Sequence, residues 1–318
     1  VAIDFEALEQ GLERTVGAIL VAVGGDLCDC GNLPTLGYGT LPDVVTSLEF
    51  ERLLSSNGPT GGLVQLSDGR TPESVAIIHC VGSLDPKHKD YCSGICCLTA
   101  FKFNALLAHK FPQASVTHYY KTLVAPGKEE ADLYRLATGR PQTSLVPFTD
   151  LERLVVVPGA AGRKAVLLDG TRREHDLVVL MPALVPSGAA AGLAALLDVG
   201  LDGRGFFEER HGRVDATRSK VRGVYIAGTC QAPMDLGRAM TQGASAAGLM
   251  LSALVPGRKL QLEAIHAVVD GDRCSGCQSC VGACPYKAIS FDAAKKAAEV
   301  NPVLCVGCGT CVAACPSG

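Results

Sequence analysis

Long apolar runs are missing from these 318 residues. The longest, such as 177–185, reach about half of the ~20 residues that a membrane-spanning helix needs, which predicts a soluble protein. No secretory signal is visible either, because Asp4, Glu6 and Glu9 sit where its apolar core would have to lie. The expected location is cytoplasmic, with any membrane association made through partners. Net charge is scarce: a formal −3 gives no general pull toward nucleic acid. No block of like charges suggests an interaction tail. Also absent is any G-x-G-x-x-G, the glycine turn with which dinucleotide-binding folds grip a pyrophosphate. The chain starts at Val1 rather than Met, as a fragment or a processed chain would.

What is abundant is cysteine, with 15 in a chain that is 47% hydrophobic and long enough for more than one domain. Disulfide frameworks belong to short secreted chains, so reduced thiolates that bind metal are the expectation here. Eight of the 15 fall into two copies of one pattern, C-x2-C-x2-C-x3-C-P. The first is Cys274, Cys277, Cys280 and Cys284 with Pro285; the second is Cys305, Cys308, Cys311 and Cys315 with Pro316. This is the two-cluster ferredoxin run, in which three closely spaced thiolates wrap one cubane and the fourth reaches the other. Cys274, Cys277, Cys280 and Cys315 are therefore assigned to one [4Fe–4S] cluster, and Cys305, Cys308, Cys311 and Cys284 to the second. Zinc sites take four ligands in pairs, which explains a repeated triplet plus Cys-Pro poorly. Gly276, Gly282, Gly307 and Gly309 let backbone amides approach the sulfurs. The stretch resembles bacterial-type ferredoxins, which implies a small α+β domain of the βαββαβ kind over residues 263–318.

Upstream, residues 16–23, 75–79, 115–120, 177–181 and 224–227 read as buried parallel strands, each a short run rich in Val, Ile or Leu. Helical stretches at 96–109 and 234–251 lie between and after them, which argues for an α/β fold with a parallel sheet. Residues 17–25, 176–182 and 221–229 follow one another in an order that resembles the flavoprotein disulfide reductases. That resemblance implies incomplete FAD/NAD-linked, thioredoxin reductase-like Rossmann-type domains, with Gly24 at the glycine turn where the chain leaves its FAD domain. A helix starting near Met234 would direct its N-terminal amides at the flavin ring or ribityl chain. The missing glycine turn implies that a segment outside this chain supplies the ADP-binding half, that this half was lost, or that the chain is only part of the protein.

Four more cysteines cluster at Cys80, Cys92, Cys96 and Cys97. Cys80 ends a predicted strand, and Cys92, Cys96 and Cys97 are expected to open the following helix, with 92 and 96 on one face. By spacing alone they fit either a cubane or a set of unligated core thiols. Cys80 to Ser83, Tyr91 to Cys97 and Ala100 to Lys102 closely resemble the A subunit of heterodisulfide reductase. So do Thr46 to Glu51, Gly58 to Gly62, and Gly228, Thr229, Cys230 and Gln231. The resemblance implies a third [4Fe–4S] cluster on the four cysteines, beside an FAD contacted by Gly24, Gly228, Thr229, Cys230, Gln231, Met234 and Asp235. It also implies partners: heterodisulfide reductase B- and C-like or hydrogenase- or dehydrogenase-linked subunits. The family usually has lysine at the Met234 position, and its N-terminal part, with further clusters and the glycine turn, is not matched here.

Lys102 is the candidate catalytic cation, placed to stabilise reduced, anionic flavin; the plain alternative is a solvated lysine. Cys28 and Cys30 form a lone C-x-C and are expected to be unligated. Cys230 has no partner cysteine evident in sequence and is expected to pack beside the flavin face. The histidines show no metal-ligand spacing. Four segments are expected: 1–70, the end of the FAD domain's first part with a linker; 71–184, an NAD-domain-like unit with the third cluster; 185–262, the FAD domain's C-terminal part; and 263–318, the ferredoxin domain. The expected function is electron transfer between FAD and clusters within an oxidoreductase complex, with electron bifurcation as an option. The alternatives are a subunit of a quinone-linked, membrane-associated complex and a non-enzymatic iron–sulfur relay on a vestigial flavin scaffold.

Overall fold

A computed structural model describes residue 11, residues 13–254 and residues 265–317. The expected boundary between 262 and 263 lies outside the described residues. The chain folds into two units. One holds Val23–Ala190 with Gly228–Ala239; the other holds Val1–Ala22, Ala191–Ala227 and Met240–Gly318.

The first unit is built on five parallel strands in the order Val44–Thr46, Leu177–Pro182, Ser74–Val81, Ser115–Tyr120, Thr143–Pro147. Strand Ser74–Val81 is buried at all eight positions. Its alternate side chains serve opposite cores, as the two-residue strand period requires. Val75 and Ile77 pack with Phe50, Phe103 and Leu107 from helices Ser47–Leu54 and Cys96–Lys110. Ala76 and Ile78 pack with Leu36, Leu154 and Val166 on the other face. That second face is covered by an antiparallel meander of Leu154–Pro158, Lys164–Leu168 and Thr171–His175. Each fully buried Val, Leu or Ile contributes about 1.5–3 kcal/mol, so this strand and its neighbour Leu177–Pro182, also buried throughout, dominate the sheet's stability. A short ribbon pairs Gly25–Leu27 with Leu184–Pro186.

In the second unit, Ile19–Val21 pairs in parallel with Val224–Ile226, and Asp215–Ser219 and Glu209–His211 extend the sheet antiparallel. The first of these strands, expected over 16–23, spans only 19–21, and Gly24 at φ +76 turns the chain beyond its C-terminal end. Helix Leu236–Ala253, whose first turn belongs to the first unit, begins two residues past Met234, since Asp235 caps it: its Oδ1 accepts from the Arg238 amide at 2.8 Å. In the tail, the described residues form helix Ser279–Ala283, the hairpin Ile289–Asp292 with Ala297–Val300, and helix Thr310–Ala313. This is the inner αββα of the expected βαββαβ order; no outer strand is present among the described residues.

Candidate redox centres

The four-cysteine group sits at the carboxyl ends of the parallel strands, where open α/β sheets place their ligand sites. Cys80 is the penultimate residue of strand Ser74–Val81 and adopts φ +55, a conformation rare for a residue with a side chain. Its Sγ lies 3.9 Å from the Thr122 carbonyl oxygen, and Cys97 Sγ lies 3.6 Å from the same atom. Cys96 Sγ lies 3.6 Å from the carbonyl oxygen of Pro182, at the end of the neighbouring strand. The structure corrects one expectation: the helix begins at Cys96, not at Cys92. Gly94 adopts φ +71, in the left-handed region that a right-handed helix cannot pass through, so Cys92 arrives from a loop. That loop is pinned: Tyr91 Oη donates to the Leu184 carbonyl at 2.9 Å, and the Leu184 amide donates to Ser93 Oγ at 2.8 Å.

The four thiols are close enough to act on one another. Burial pushes Cys96 up to about 12, and the sulfurs of Cys97, Cys80 and Cys92 add to the rise. Burial likewise pushes Cys97 up to about 11, again with Cys80 and Cys92 contributing. Thiolates crowded in this way are costly unless a cationic group shares them, which is what an iron–sulfur core supplies; the donor set fits one. Under this site lies a feature that sequence reasoning missed. His79 Nε2 meets His118 Nδ1 at 2.9 Å, and His118 Nε2 meets Asn104 at 2.8 Å, all fully buried. A histidine inside the apolar run 75–81 was the available signal.

The tail residues also fit the groups expected of them. Cys284, Cys305, Cys308 and Cys311 line one cavity with Tyr286 and Gly307, which puts the fourth cysteine of the first repeat beside the thiols of the second triplet. Backbone amides reach the sulfurs: Ala288 N to Cys284 at 3.3 Å, Ala267 N to Cys305 at 3.4 Å. Cys280 feels Cys274 and Cys277, though burial is the larger cause of its raised pKa. Arg273 donates to the carbonyl of Ser317 at 3.2 Å, which ties the segment entering Cys274 to the segment leaving Cys315. The Ser279 hydroxyl lowers the Cys277 pKa, and the Thr310 hydroxyl lowers that of Cys308. Gly307 is required twice over, at φ +67 and with its Cβ direction 2.6 Å from the Ile265 carbonyl oxygen. Among the described residues no three His, Cys, Asp or Glu side chains converge on a single-ion site. The thiols of the second triplet and Cys284 are spread around a cavity instead.

The residues expected to face flavin share the first unit. Gly24 and Gly228 adopt φ +76 and +80, and the Cβ direction of Gly24 points 3.9 Å from Thr229 Oγ1. Cys230, Gln231 and Met234 are buried, as packing residues are. Asp235 already occupies one helix N-terminal amide, which leaves less of that dipole for an anion. Lys102 is not a lone cation: its Nζ pairs with Glu51 at 2.6 Å and sits 5.1 Å from the Phe103 ring centroid. Glu51, Leu48 and Ser47 line a cleft of about 350 Å³ with Thr99 and the Gly25–Leu27 strand. Thr99 is one turn past Cys96 on the same helix. Cys28 is half-buried and Cys30 is buried and pushed up to about 12, as unligated core thiols would be.

Residues 273–318 match a protein-family profile described as a 4Fe-4S dicluster domain. The CoB–CoM heterodisulfide reductase iron–sulfur A subunit 2 of Methanopyrus kandleri is 39% identical over 91% of this chain and 45% of its own length. The A subunit of the H(2):CoB-CoM heterodisulfide,ferredoxin reductase of Methanothermobacter thermautotrophicus is 36% identical over 92% of this chain and 45% of its own. Among solved structures, the Cu(II) complex of an HOCl-induced flavoprotein disulfide reductase from Escherichia coli aligns with 76% of this chain and 45% of its own. Its identity is 13% and its TM-score 0.49. The chain spans less than half the length of these curated relatives. Over about nine tenths of its own length it is nonetheless similar to the A subunits of the heterodisulfide reductases, as its cysteine motifs imply.

Proposed function

We propose that this chain is the electron-transferring part of a heterodisulfide reductase-like oxidoreductase, with three [4Fe–4S] clusters and a share of an FAD site. The observation that carries the reading is the convergence of Cys80, Cys92, Cys96 and Cys97 at the strand ends, in a chain whose tail matches a dicluster domain. Bound there, the clusters supply one-electron transfer and the flavin supplies the exchange between electron pairs and single electrons. The chain's own residues hold and tune them. Cys80, Cys96 and Cys97 lie against carbonyl oxygens in a buried setting, and the pinned loop brings Cys92 to them. Ser279 and Thr310 stabilise thiolate at two tail ligands. Lys102, neutralised in part by Glu51, sets the charge at the rim of the cleft, where the flavin ring is assigned. Gly24, Gly228, Thr229 and Gln231 would border it. In this reading segment 71–184 carries the third cluster, 1–70 and 185–262 carry the FAD-domain parts, and 263–318 is the ferredoxin domain. The partners are further redox subunits, one of which, or a further segment, supplies the ADP-binding half. One relative's name couples heterodisulfide with ferredoxin, which favours a bifurcating assembly as the finer reading. Iron, sulfide and flavin per chain in the intact assembly test the proposal. About twelve irons with flavin support it; zinc in place of iron would overturn it, and electron transfer by a flavin-free assembly would favour the relay alternative.

A further inference from the structure

Tyr286 follows the cross-ligating Cys284 and Pro285 and lines the cavity of Cys284, Cys305, Cys308 and Cys311. The same ring packs on His211, with centroids 5.4 Å apart and planes at 41°. His211 closes the strand Glu209–His211, and its ring is aimed by the turn that follows. Its Nδ1 accepts from the amides of Arg213 at 3.2 Å and Val214 at 3.3 Å, so in the neutral ring the proton sits on Nε2. Arg210 and Asp215 complete the surroundings of Tyr286, and Asp215 is itself held by Arg210 and Arg218. One aromatic side chain thus touches a cluster cavity and a hairpin of the four-stranded sheet.

We propose that the hairpin Glu209–Ser219 is the seat of the ferredoxin tail, with Tyr286 and His211 as positioning residues that hold the Cys284/Cys305/Cys308/Cys311 cavity against it. The proposal rests on the two-cluster reading of the tail for its redox consequence, while the packing itself stands apart from it. Sequence spacing gave no sign of the contact, because 74 residues separate the two rings. The seat fixes one of the two tail clusters relative to the sheet, and so gives electrons a fixed rather than a tethered exit at that end.

The test uses the full chain, reconstituted anaerobically, with iron measured first. Tyr286→Ala should raise amide exchange severalfold across residues 209–219, and His211→Ala should raise it across 284–289. Each should shift the midpoint potential of the tail cluster that Cys284 substitution damages, and leave the other unmoved. Tyr286→Phe, which keeps the ring, should behave as wild type. His211→Asn, which keeps an acceptor for the turn amides, separates loss of the ring from loss of the turn and should act like His211→Ala at 284–289. Unchanged exchange across the contact in Tyr286→Ala and His211→Asn would overturn the seat, as would equal shifts of both tail clusters. An iron-free wild-type chain would sink the cluster reading instead, and the exchange experiment would still decide the packing.

Discussion

Single side chains carry the sharpest consequences. Cys284 lines the cavity of the second triplet although it belongs in sequence to the first. Cys284→Ser should therefore damage the cluster built on Cys305, Cys308 and Cys311, with tail iron falling from about eight toward about four. Electron paramagnetic resonance of the reduced protein checks which cluster is lost; damage confined to the Cys274 cluster would refute the crossed pairing. The buried histidines make a second residue-level prediction. Burial lowers both His118 and His175 to about 4, against about 6.5 in the unfolded chain. Between those values the unfolded state binds more protons, so stability is full above the unfolded value and is lost as pH falls toward the folded one. The complete loss is on the order of 3 kcal/mol per ring. Nitrogen-15 spectra at about pH 5.5 should show both rings still neutral; a charged ring there would contradict the burial argument.

At the scale of the element, the proposed third cluster depends on a loop meeting a helix start. Gly94 holds φ +71, and a side chain there costs roughly 1–2 kcal/mol if the geometry is kept. Relaxing that strain would move Cys92. Gly94→Val should thus lower iron at the Cys80 to Cys97 site while tail iron, carried by separate elements, stays near wild type. Unchanged iron at the Cys80 to Cys97 site would argue that Cys92 is not a ligand. Strand 177–181 was legible in the sequence because its unbroken run of Leu, Val and Met belongs to a strand buried on both faces. The meander of Leu154–Pro158, Lys164–Leu168 and Thr171–His175 was not, because its charged middle, with Arg163, Lys164, Arg172, Arg173 and Glu174, hides a one-sided pattern. The tail cysteines were legible from spacing, since each triplet with its Cys-Pro is contiguous in sequence. The Cys80 group was readable only through resemblance, because Thr122 and Pro182, which border it, are distant in sequence. Glu51 as the counter-charge of Lys102 had no sequence signal at all.

Across the whole molecule the parts are unequally complete. The tail matches a dicluster domain over residues 273–318, and the thiols of the third group meet within one unit. The proposed flavin site has a border of glycines and a cleft, but these 318 residues contain no pyrophosphate-gripping G-x-G-x-x-G. A pyrophosphate loop gives charge-assisted hydrogen bonds worth about 1.5–3 kcal/mol each. Going without two of them weakens binding about a thousandfold. The purified chain should accordingly bind FAD weakly or not at all by fluorescence titration, and tight binding should appear only with the polypeptide or segment that supplies the ADP half. Stoichiometric, tight FAD in the isolated chain would overturn the shared site. In the assembly, Lys102→Ala should lower the flavin potential by removing a positive charge, and Glu51→Gln should raise it by freeing the one that remains. The pair is about half exposed, so each shift is reduced by solvent screening. Opposite signs from the two substitutions would place the flavin ring at this rim; no shift from either would place it elsewhere and leave Lys102 and Glu51 as a surface ion pair.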